Sequence, residues 1–426
     1  MTGNVNSVLK TALNVIKPTR DELRDIENSL KKFLDKLNKN IKASKISADV
    51  FVGGSFAKKT LIRKELHDID IFIRFDKKYK EKNLSELMKK ILKGINAKVV
   101  HGSRDYFQVR ASKNLFFEIV PVKKISNPKE AENITDLSYS HVNYIKKKIK
   151  SQKILDDILL AKAFCHANNC YGAESYINGF SGYALELLIY HHGSFLKFIT
   201  AMTKINSKNK EIIDIEKHHK SRHLVLMDLN AAKLQSPIVI IDPTYRQRNV
   251  LAALSEETFK RFQASCRKFL AKPTLKAFEV ERLDFEKAKK EAKKKGYEFV
   301  QLEIKTNKQS GDVAGSKLSK FFKHLARELE KHFEIKKKGF EYQGNRSANA
   351  FFQSKKREEV LYRGPHVKHE KHAKKFKAKH KKTFIKNNIL HAKQAVKTST
   401  KQFLQQWKIK NKKRMKEMYV AELKVN

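Results

Sequence analysis

Residues 48–76 read ADVFVGGSFAKKTLIRKELHDIDIFIRFD, and they carry the clearest structural signal in the chain. A run of apolar residues predicts a strand that ends at Val52, followed by a Gly-Gly-Ser turn at 53–55 and a short helix. Alternating apolar residues predict a second strand over about 69–75. The stretch therefore predicts strand, turn, helix and strand.

The residues around this stretch complete a mixed sheet that is flanked by helices. Apolar residues at spacings of three and four predict a long helix before it, with Thr19 placed to cap that helix. Further strands are predicted at 98–100, 107–110 and 115–120. This first domain is expected to span residues 1–140.

Three more segments follow, and together they predict an α+β multidomain protein. Long apolar helices, broken by the strand-like run SPIVIIDP, predict a mainly helical central domain over 141–280. Helices and strands mix over 281–364, which predicts a third, ferredoxin-like α+β domain. Residues 365–426 hold 19 Lys and Arg against 3 acids and predict a basic helical tail.

The composition of the chain limits its class of partner. Its 426 residues include 92 Lys and Arg against 45 Asp and Glu, a formal net charge of +47. The hydrophobic fraction of 40% supplies folded cores, which excludes a wholly disordered protein. A folded surface of this charge favours nucleic acid as the partner, with an anionic membrane the weaker interpretation. A high-salt or Lys-biased proteome is the alternative source of the charge.

The cysteines and the apolar runs indicate the compartment. Cys165, Cys170 and Cys266 form no CxxC pair, which argues against a disulfide framework or a zinc ribbon and favours a reducing compartment. No window approaches the ~18 apolar residues that a membrane span needs. We therefore expect a cytoplasmic protein with no membrane segment.

Two carboxylates on one strand are the leading candidates for catalysis. Asp68 and Asp70 lie two residues apart, so a strand points both to the same face. Such a pair favours a cation, and Mg²⁺ suits oxygen ligands and substrate phosphates, with Mn²⁺ an alternative. Glu118, in the apolar run LFFEIVPVKK, is expected to complete a two-metal ligand set. The alternative for all three is a solvated strand position.

The turn just before the acids offers a site for phosphate. Its free N–H groups open a short helix, and they lie at Gly54 and Ser55. The Ser55 hydroxyl adds a further donor. The turn and the acids are expected to form one site for phosphoryl transfer.

These residues resemble a known family. Residues 48–76, with FFEIVPV, look like the nucleotidyltransferase core of polymerase-beta-like enzymes. Two later segments are similar to the archaeal-type (class I) CCA-adding enzymes: LLAKAFCHANNCYGAESYINGFSGYALELLIYHHGSFLKF at 159–198 and VIIDPTYRQRNVLAALS at 239–255. That family rebuilds the CCA end of tRNA from CTP and ATP without a nucleic-acid template. The likeness covers about residues 20–280 and continues more loosely to about 385.

The resemblance implies a role for each matching residue. The family's metal-binding acids correspond to Asp68, Asp70 and Glu118, with carboxylates exchanged for carboxylates at the first and third. Together with the turn, it gives a nucleotide-binding set that comprises Gly54, Ser55, Lys58, His141, Lys162, Tyr171, Arg248 and Asn249. Lys58 stands where the family commonly has Arg, which gives up bidentate geometry. Arg248, beside Asn249, matches the selector of C and A.

Without the resemblance, several of these residues have ordinary alternatives. Lys162 would be a solvated helix residue, Tyr171 a core aromatic and His141 a surface histidine. Arg248 could pair with phosphate, with a carboxylate or with nothing.

The resemblance also implies the domains and the partners. The first domain is then catalytic, the central domain binds nucleotide, and the third domain and tail bind the acceptor stem and elbow of tRNA. A homodimer is left open. The alternatives are a poly(A) or oligoadenylate polymerase, and a catalytically inactive tRNA-binding relative, against which the three acids argue.

The tail contains two further candidates. Four histidines have no cysteine nearby and are not expected to bind metal: His366, His369, His372 and His380. Phe403 and Trp407 either stack on a base or dock the final helix.

Overall fold

The computed structural model describes residues 2–102, 104–206, 210–280, 282–380 and 382–426. The chain forms two compact units, here called the first and the second unit, which divide at residue 280. Within the described ranges, no helix has both the length and the apolar composition needed to span a membrane.

The first unit contains two regions, a mixed sheet and a helical region. Its helices are α1 (Thr2–Ile16), α2 (Arg20–Ser44), α3 (Gly54–Ala57), α4 (Leu84–Ile91), α5 (Ser138–Lys148), α6 (Gln152–Ala167), α7 (Gly182–His192), α8 (Phe195–Lys204), α9 (Arg222–Asp228) and α10 (Glu256–Ala271). Its strands are β1 (Ala48–Val52), β2 (His67–Phe75), β3 (Ala97–Val100), β4 (Tyr106–Ser112), β5 (Leu115–Lys123), β6 (Glu211–Ile213), β7 (Ile238–Asp242) and β8 (Tyr245–Asn249).

The mixed sheet that the sequence predicts is present, with strand order β1-β2-β5-β4-β3. β2 and β5 run parallel, whereas the other neighbours run antiparallel. Helix α2 covers the sheet, with Leu30 and Leu37 buried in the same core as Ile71. Thr19 caps α2 as predicted, since its hydroxyl accepts from the Glu22 N–H and its own N–H donates to the Glu22 carboxylate. The strands around the Gly-Gly-Ser turn therefore pack against a regular, capped helix.

The helical region packs around Phe164 of α6. The rings of Phe195, Phe262 and Phe269 meet it edge-on, at centroid distances of 5.6, 5.9 and 5.8 Å. Buried aromatic side chains contribute the largest apolar areas to a core. This cluster fixes α6 against α8 and α10, and all three cysteine thiols lie buried and free within it.

Helix α1 belongs to this helical core rather than to the mixed sheet. Its Leu9, Ala12 and Ile16 recur at spacings of three and four, and they are buried in the same cluster as Phe164. The first domain was expected to span residues 1–140. Its start needs correction, because residues 2–16 pack with the central helical region.

The second unit is ferredoxin-like, with an inserted subdomain. Its helices are α11 (Phe285–Lys294), α12 (Asp312–Glu330), α13 (Glu370–Lys379), α14 (Thr400–Lys410) and α15 (Lys412–Glu417). Its strands are β9 (Glu298–Lys305), β10 (Phe333–Tyr342), β11 (Ser347–Lys356), β12 (Glu359–His366), β13 (Thr383–Lys386), β14 (Ile389–Ala395) and β15 (Glu422–Val425). The main sheet has the order β10-β11-β9-β15 and is antiparallel throughout. The path β9-α12-β10-β11-α14-β15 gives the split β-α-β arrangement of ferredoxin-like folds.

The predicted boundary at residue 364 and the separate basic tail are wrong. The second helix and the fourth strand of the ferredoxin-like fold both come from the final segment, and β12 runs across the boundary. Leu404, Trp407 and Leu423 lie buried in the same core as Leu302 and Phe321. The many Lys residues of this segment obscure the spacing of its apolar residues in the sequence. Trp407 thus docks its helix within the fold.

Residues between β11 and α14 form the inserted subdomain. Its sheet has the order β12-β14-β13, and α13 packs against β12. Helix α13 lies in the segment for which the sequence predicts a helical tail, but strands β13 and β14 were not predicted. Their Lys-rich sequence hides the alternation in which Leu390 and Ala392 point inward and are buried.

A substitution in the last strand tests whether the C-terminal residues belong to this core. We expect Leu423→Ala to lower the free energy of unfolding of the second unit by about 2–5 kcal/mol, the usual cost of a cavity at a buried Leu. The exposed neighbour Lys424 serves as a control, and Lys424→Ala is expected to cost less than about 1 kcal/mol. Denaturation followed by the fluorescence of Trp407, the only Trp in the sequence, reports on this unit. Equal stability of the two variants would contradict the assignment.

Candidate active site

Three carboxylates lie together on the mixed sheet. In the parallel pairing of β2 with β5, Asp70 stands opposite Glu118. Asp68, two residues before Asp70, shares its strand face. Gln108 of β4 pairs with Glu118 in the register and donates a hydrogen bond to it (Nε2–Oε1 2.8 Å). The strand pairing brings together the acids that the sequence singled out.

These three carboxylates repel one another. Burial and the charges of Asp68 and Glu118 raise the pKa of Asp70 to about 7. Burial also raises the pKa of Glu118, although the hydrogen bond from Gln108 opposes the change. Hard oxygen donors with excess negative charge fit a divalent cation. Within the described residues, no three His, Cys, Asp or Glu side chains are already gathered into a complete metal site.

The Gly-Gly-Ser turn lies directly against Asp70. The Gly53 N–H donates to the Asp70 carbonyl at 2.9 Å. Gly54 has a φ of +61°, and a Cβ built on it would overlap the Asp70 carboxylate. Glycine is therefore required at residue 54 both for its backbone angle and for the space it leaves. Ser55 follows in the first turn of α3, partly exposed.

Lys58 and Lys162 converge on Glu186, a buried acid that the sequence analysis missed. Glu186 Oε2 lies 2.7 Å from Lys58 Nζ, and its Oε1 lies 2.9 Å from Lys162 Nζ. The Thr60 hydroxyl donates to Glu186 at 2.9 Å and accepts from Lys162 at 2.7 Å. Lys58 after α3 and Lys162 of α6 thus meet at Glu186 of α7.

The charges of this cluster compensate one another. Burial lowers the pKa of Lys162 to about 8, although Glu186 opposes the change. Burial alone would raise the pKa of Glu186, but Lys162 and Lys58 outweigh it and lower that pKa to about 2. Since a buried ion requires a partner, Glu186 pairs with both lysines and opposes the loss of charge at Lys162. Lys162 is fully enclosed rather than solvated, which corrects the ordinary interpretation of a lone helix lysine.

Asp242 is the centre of a second cluster. It accepts from Arg248 Nη1 at 2.6 Å and from the Tyr183 hydroxyl at 3.2 Å, and His141 Nε2 lies 2.9 Å from it. The His141 ring stacks on Tyr183 at a centroid distance of 4.2 Å. Lys58 Nζ lies 6.0 Å from the centre of the same Tyr183 ring, so the two clusters adjoin.

Burial and charge act in opposite directions at Asp242. Burial alone would raise the pKa of this carboxyl, but the hydrogen bond to His141 and the charge of Arg248 lower it well below its usual range. Burial lowers the pKa of His141, against the pull of Asp242. Asp242 therefore remains ionised and fixes the positions of both partners.

Tyr171 and Lys162 meet at Gly182, the first residue of α7. A Cβ on Gly182 would stand 2.9 Å from the Tyr171 hydroxyl and 3.6 Å from Lys162 Nζ. The Tyr171 ring stacks on His166 at a centroid distance of 3.9 Å. Burial raises the pKa of Tyr171, so its hydroxyl stays neutral and can donate.

The Asn249 side chain is bound to the backbone. It is buried, its Oδ1 accepts from the Ile240 and Leu251 N–H groups, and its Nδ2 donates to the Lys233 carbonyl. These bonds fix the end of β8, next to Arg248. The place of Asn249 in the nucleotide-binding set stays a prediction.

The missed residues carried a signal in the sequence. Glu186 and Asp242 stand in the apolar runs ALELLIY and IVIID. The argument that singled out Glu118, an ionisable group within an apolar run, applies equally to both.

This fold and this set of charges define a nucleotidyltransferase. The family model for the second domain of tRNA nucleotidyltransferase matches residues 156–279, and that for the Second Messenger Oligonucleotide or Dinucleotide Synthetase domain matches residues 3–150. The chain belongs to the family of CCA-adding enzymes: it is 37% identical over 286 residues to the CCA-adding enzyme of Nanoarchaeum equitans, with 67% of this chain and 68% of that one covered.

Other relatives agree with this family. The CCA-adding enzyme of Methanocaldococcus jannaschii is 27% identical over 347 residues, which cover 77% of this chain and 73% of that one. That of Pyrococcus abyssi is 30% identical over 334 residues, which cover 76% and 72%. A structure of the Cid1 poly(U) polymerase bound to MgATP has a TM-score of 0.51 at 12% identity and covers 64% of this chain and 98% of that one; this likeness concerns the fold alone.

A pair of glycine substitutions tests the fit between the turn and Asp70. Gly54 and Gly94 both have a positive φ, but a Cβ on Gly94 meets nothing within 4 Å. We expect both Gly54→Ala and Gly94→Ala to lose about 1–2 kcal/mol through left-handed backbone strain, and Gly54→Ala to lose more because its Cβ overlaps Asp70. Only Gly54→Ala should also lose nucleotidyl transfer, by about 100-fold, because it displaces Asp70. Rates and melting temperatures check this, and equal rates for the two variants would refute the contact.

Proposed function

We propose that this protein adds CCA to the 3′ end of tRNA, using CTP and ATP, without a nucleic-acid template. The observation that carries the proposal is the cluster of three acids on the interior strands β2 and β5, beside two lysines that share Glu186. A metal–triphosphate complex complements this arrangement, because its cation can bind the acids and its phosphates can bind the lysines. The relatives named above favour CCA addition over a poly(A) or oligoadenylate polymerase.

In this proposal, Asp68, Asp70 and Glu118 bind the divalent metal. The unfavourable charge among these acids, and their hard oxygen donors, fit Mg²⁺, with Mn²⁺ an alternative. Bound there, the metal would lower the pKa of the tRNA 3′-hydroxyl and neutralise charge on the triphosphate. The 3′-hydroxyl attacks the α-phosphate, the bond to the β-phosphate breaks, and pyrophosphate leaves.

Residues around the turn and α6 position the triphosphate. The N–H groups at Gly54 and Ser55 are placed to receive phosphate oxygens. Lys58 and Lys162 neutralise the leaving pyrophosphate, and the neutral Tyr171 hydroxyl donates beside them. Glu186 acts through the two lysines: it pairs with both and orients them before the nucleotide arrives.

The second cluster is proposed to select the base. Arg248 is fixed by Asp242 and offers the donors of its guanidinium to C or A, while His141 contacts the triphosphate from the same anchor. Asn249 contributes by fixing the end of β8 next to Arg248.

The second unit and its basic surface are proposed to bind the acceptor stem and the elbow of tRNA. A-form RNA is recognised mostly by shape and phosphate, which suits a surface rich in Lys. A cytoplasmic location is a further part of the proposal.

The direct test supplies tRNA transcripts that end before CCA, after C and after CC, with Mg²⁺ and each labelled nucleotide in turn. Ordered addition of C, C and A, followed by arrest, is the expected result. Open-ended addition of A would favour the poly(A) polymerase, and no incorporation would favour the inactive tRNA-binding relative.

Removal of one acid separates chemistry from RNA binding. We expect Asp70→Ala to abolish nucleotide addition, because the metal loses a ligand, while the dissociation constant for tRNA changes by less than about twofold. A filter-binding titration and a single-turnover assay on the same preparation check both parts. Retained turnover would refute the assignment of Asp70.

Glu186→Gln tests the role of the shared carboxylate through pH. Without Glu186, the pKa of Lys162 falls further below its usual value, so Lys162 loses its proton as the pH rises. We expect the KM for CTP to rise by about tenfold at pH ~8, equal to ~1.4 kcal/mol, and to recover toward the wild-type value at pH ~6. Glu186→Asp should restore part of the loss.

A second buried, ion-paired acid controls for stability alone. Asp136 is buried and pairs with Arg104, outside the site. Asp136→Asn should destabilise the protein without a pH-dependent KM. A KM profile for Glu186→Gln that parallels the wild type at every pH would show that Glu186 is merely structural.

A further inference from the structure

One face of the inserted sheet is exposed and carries aromatic rings among basic side chains. Residues directly opposite in an antiparallel pair share a face. The register sets Arg363, His391 and Phe384 in one row across β12, β14 and β13. We call this surface the basic aromatic face; its basic and aromatic members are Arg363, Lys382, Phe384, Lys386, His391 and Lys393, and the register also places Glu359 and the exposed Leu361 on it.

The rings on this face form a small stacking surface. Phe384 and His391 lie 5.5 Å apart between centroids, with an interplanar angle of 22°. His391 Nδ1 donates to the Ile389 carbonyl at 3.0 Å, which fixes the ring on its strand. Phe384 remains 39% exposed although it is a large apolar side chain. An exposed, oriented aromatic pair of this kind matches the flat face of a base.

The opposite face of the same sheet is already covered. Leu390 and Ala392 are buried there, and the Phe376 ring of α13 packs on Gly364, where a Cβ would come within 2.9 Å of it. The exposure of Phe384 is therefore not needed to form the sheet, whose core lies on the other side.

The charge of the basic aromatic face selects its occupant. Among the described residues of this face, the negative charge is that of Glu359, whose Oε2 lies 3.5 Å from Lys393 Nζ. Arg363, Lys382 and Lys386 add positive charge around the rings. Positive charge interleaved with aromatic rings is the pattern that binds single-stranded nucleic acid, with phosphate on the cations and bases on the rings.

We propose that the basic aromatic face binds an unpaired RNA segment, with one base stacked on Phe384 and His391 and its flanking phosphates on Arg363 and Lys382. This surface belongs to the second unit, whereas the residues of the nucleotide site belong to the first. Only the choice of tRNA as its natural RNA rests on the proposed function. The face adds affinity for RNA and takes no part in the chemical step.

A matched pair of substitutions on one strand tests the stacking contact. Ile385, the neighbour of Phe384, is 59% exposed and points to the other face. In full-length protein, we expect Phe384→Ala to weaken binding of tRNA and of a 12-nucleotide single-stranded RNA by about tenfold. Ile385→Ala should bind as the wild type does, and Phe384→Trp should retain affinity. Equal affinities for Phe384→Ala and Ile385→Ala would overturn the proposal.

Two further measurements separate the possible outcomes. Lys382→Ala should reduce the slope of log affinity against log salt by about one, because one phosphate contact is lost. Nucleotide addition by Phe384→Ala at saturating tRNA should proceed at the wild-type rate, so a failure of the proposed function is visible independently. If Phe384→Ala reduced binding to phosphatidylserine vesicles and left RNA affinity unchanged, the face would be a membrane contact and the proposal would fall.

Discussion

The parallel pairing of β2 with β5 is the constraint on which the first unit depends. It sets Asp70 opposite Glu118, and the period of the strand adds Asp68 on the same face. Three acids so close are unfavourable by themselves, as the raised pKa of Asp70 indicates. The apolar sheet core and the Gly53 N–H bond to the Asp70 carbonyl hold them there nonetheless. A fold that bears this cost has the acids in place before a cation arrives.

Opposite electrostatic environments separate the acids of this site into two kinds. Burial, together with the charges of neighbouring acids, raises the pKa values of Asp70 and Glu118. Glu186 and Asp242 are each surrounded by cationic or hydrogen-bonding partners, so their pKa values fall. The first kind is suited to attract a metal, and the second to anchor the side chains that meet the substrate. Residue type alone does not distinguish them.

The sequence predicted those parts of the fold in which the pattern is local. The capped helix α2, the strands around the Gly-Gly-Ser turn and the pair Asp68 and Asp70 all follow from short-range periodicity. Glu186 could not be matched to Lys58 and Lys162, because these residues are distant in sequence and meet only after α6 and α7 pack.

The second unit shows how charge can mask structure. Its last strand, β15, pairs with β9 across more than a hundred residues, and no local signal predicts such a pairing. Lys residues on the exposed faces of α14 and β14 made the segment read as an arm, although Leu404 and Leu423 are core residues. The net charge of the segment predicts its exposed surface but not its place in the fold.

The central proposal concerns one place, the three acids of β2 and β5 beside the lysines that share Glu186. A crystal structure with CTP and Mn²⁺, examined by anomalous scattering, measures that claim most directly. We predict a manganese peak bounded by the carboxylates of Asp68, Asp70 and Glu118, with the triphosphate against Lys58 and Lys162. Triphosphate bound elsewhere, with no peak among the three acids, would contradict it.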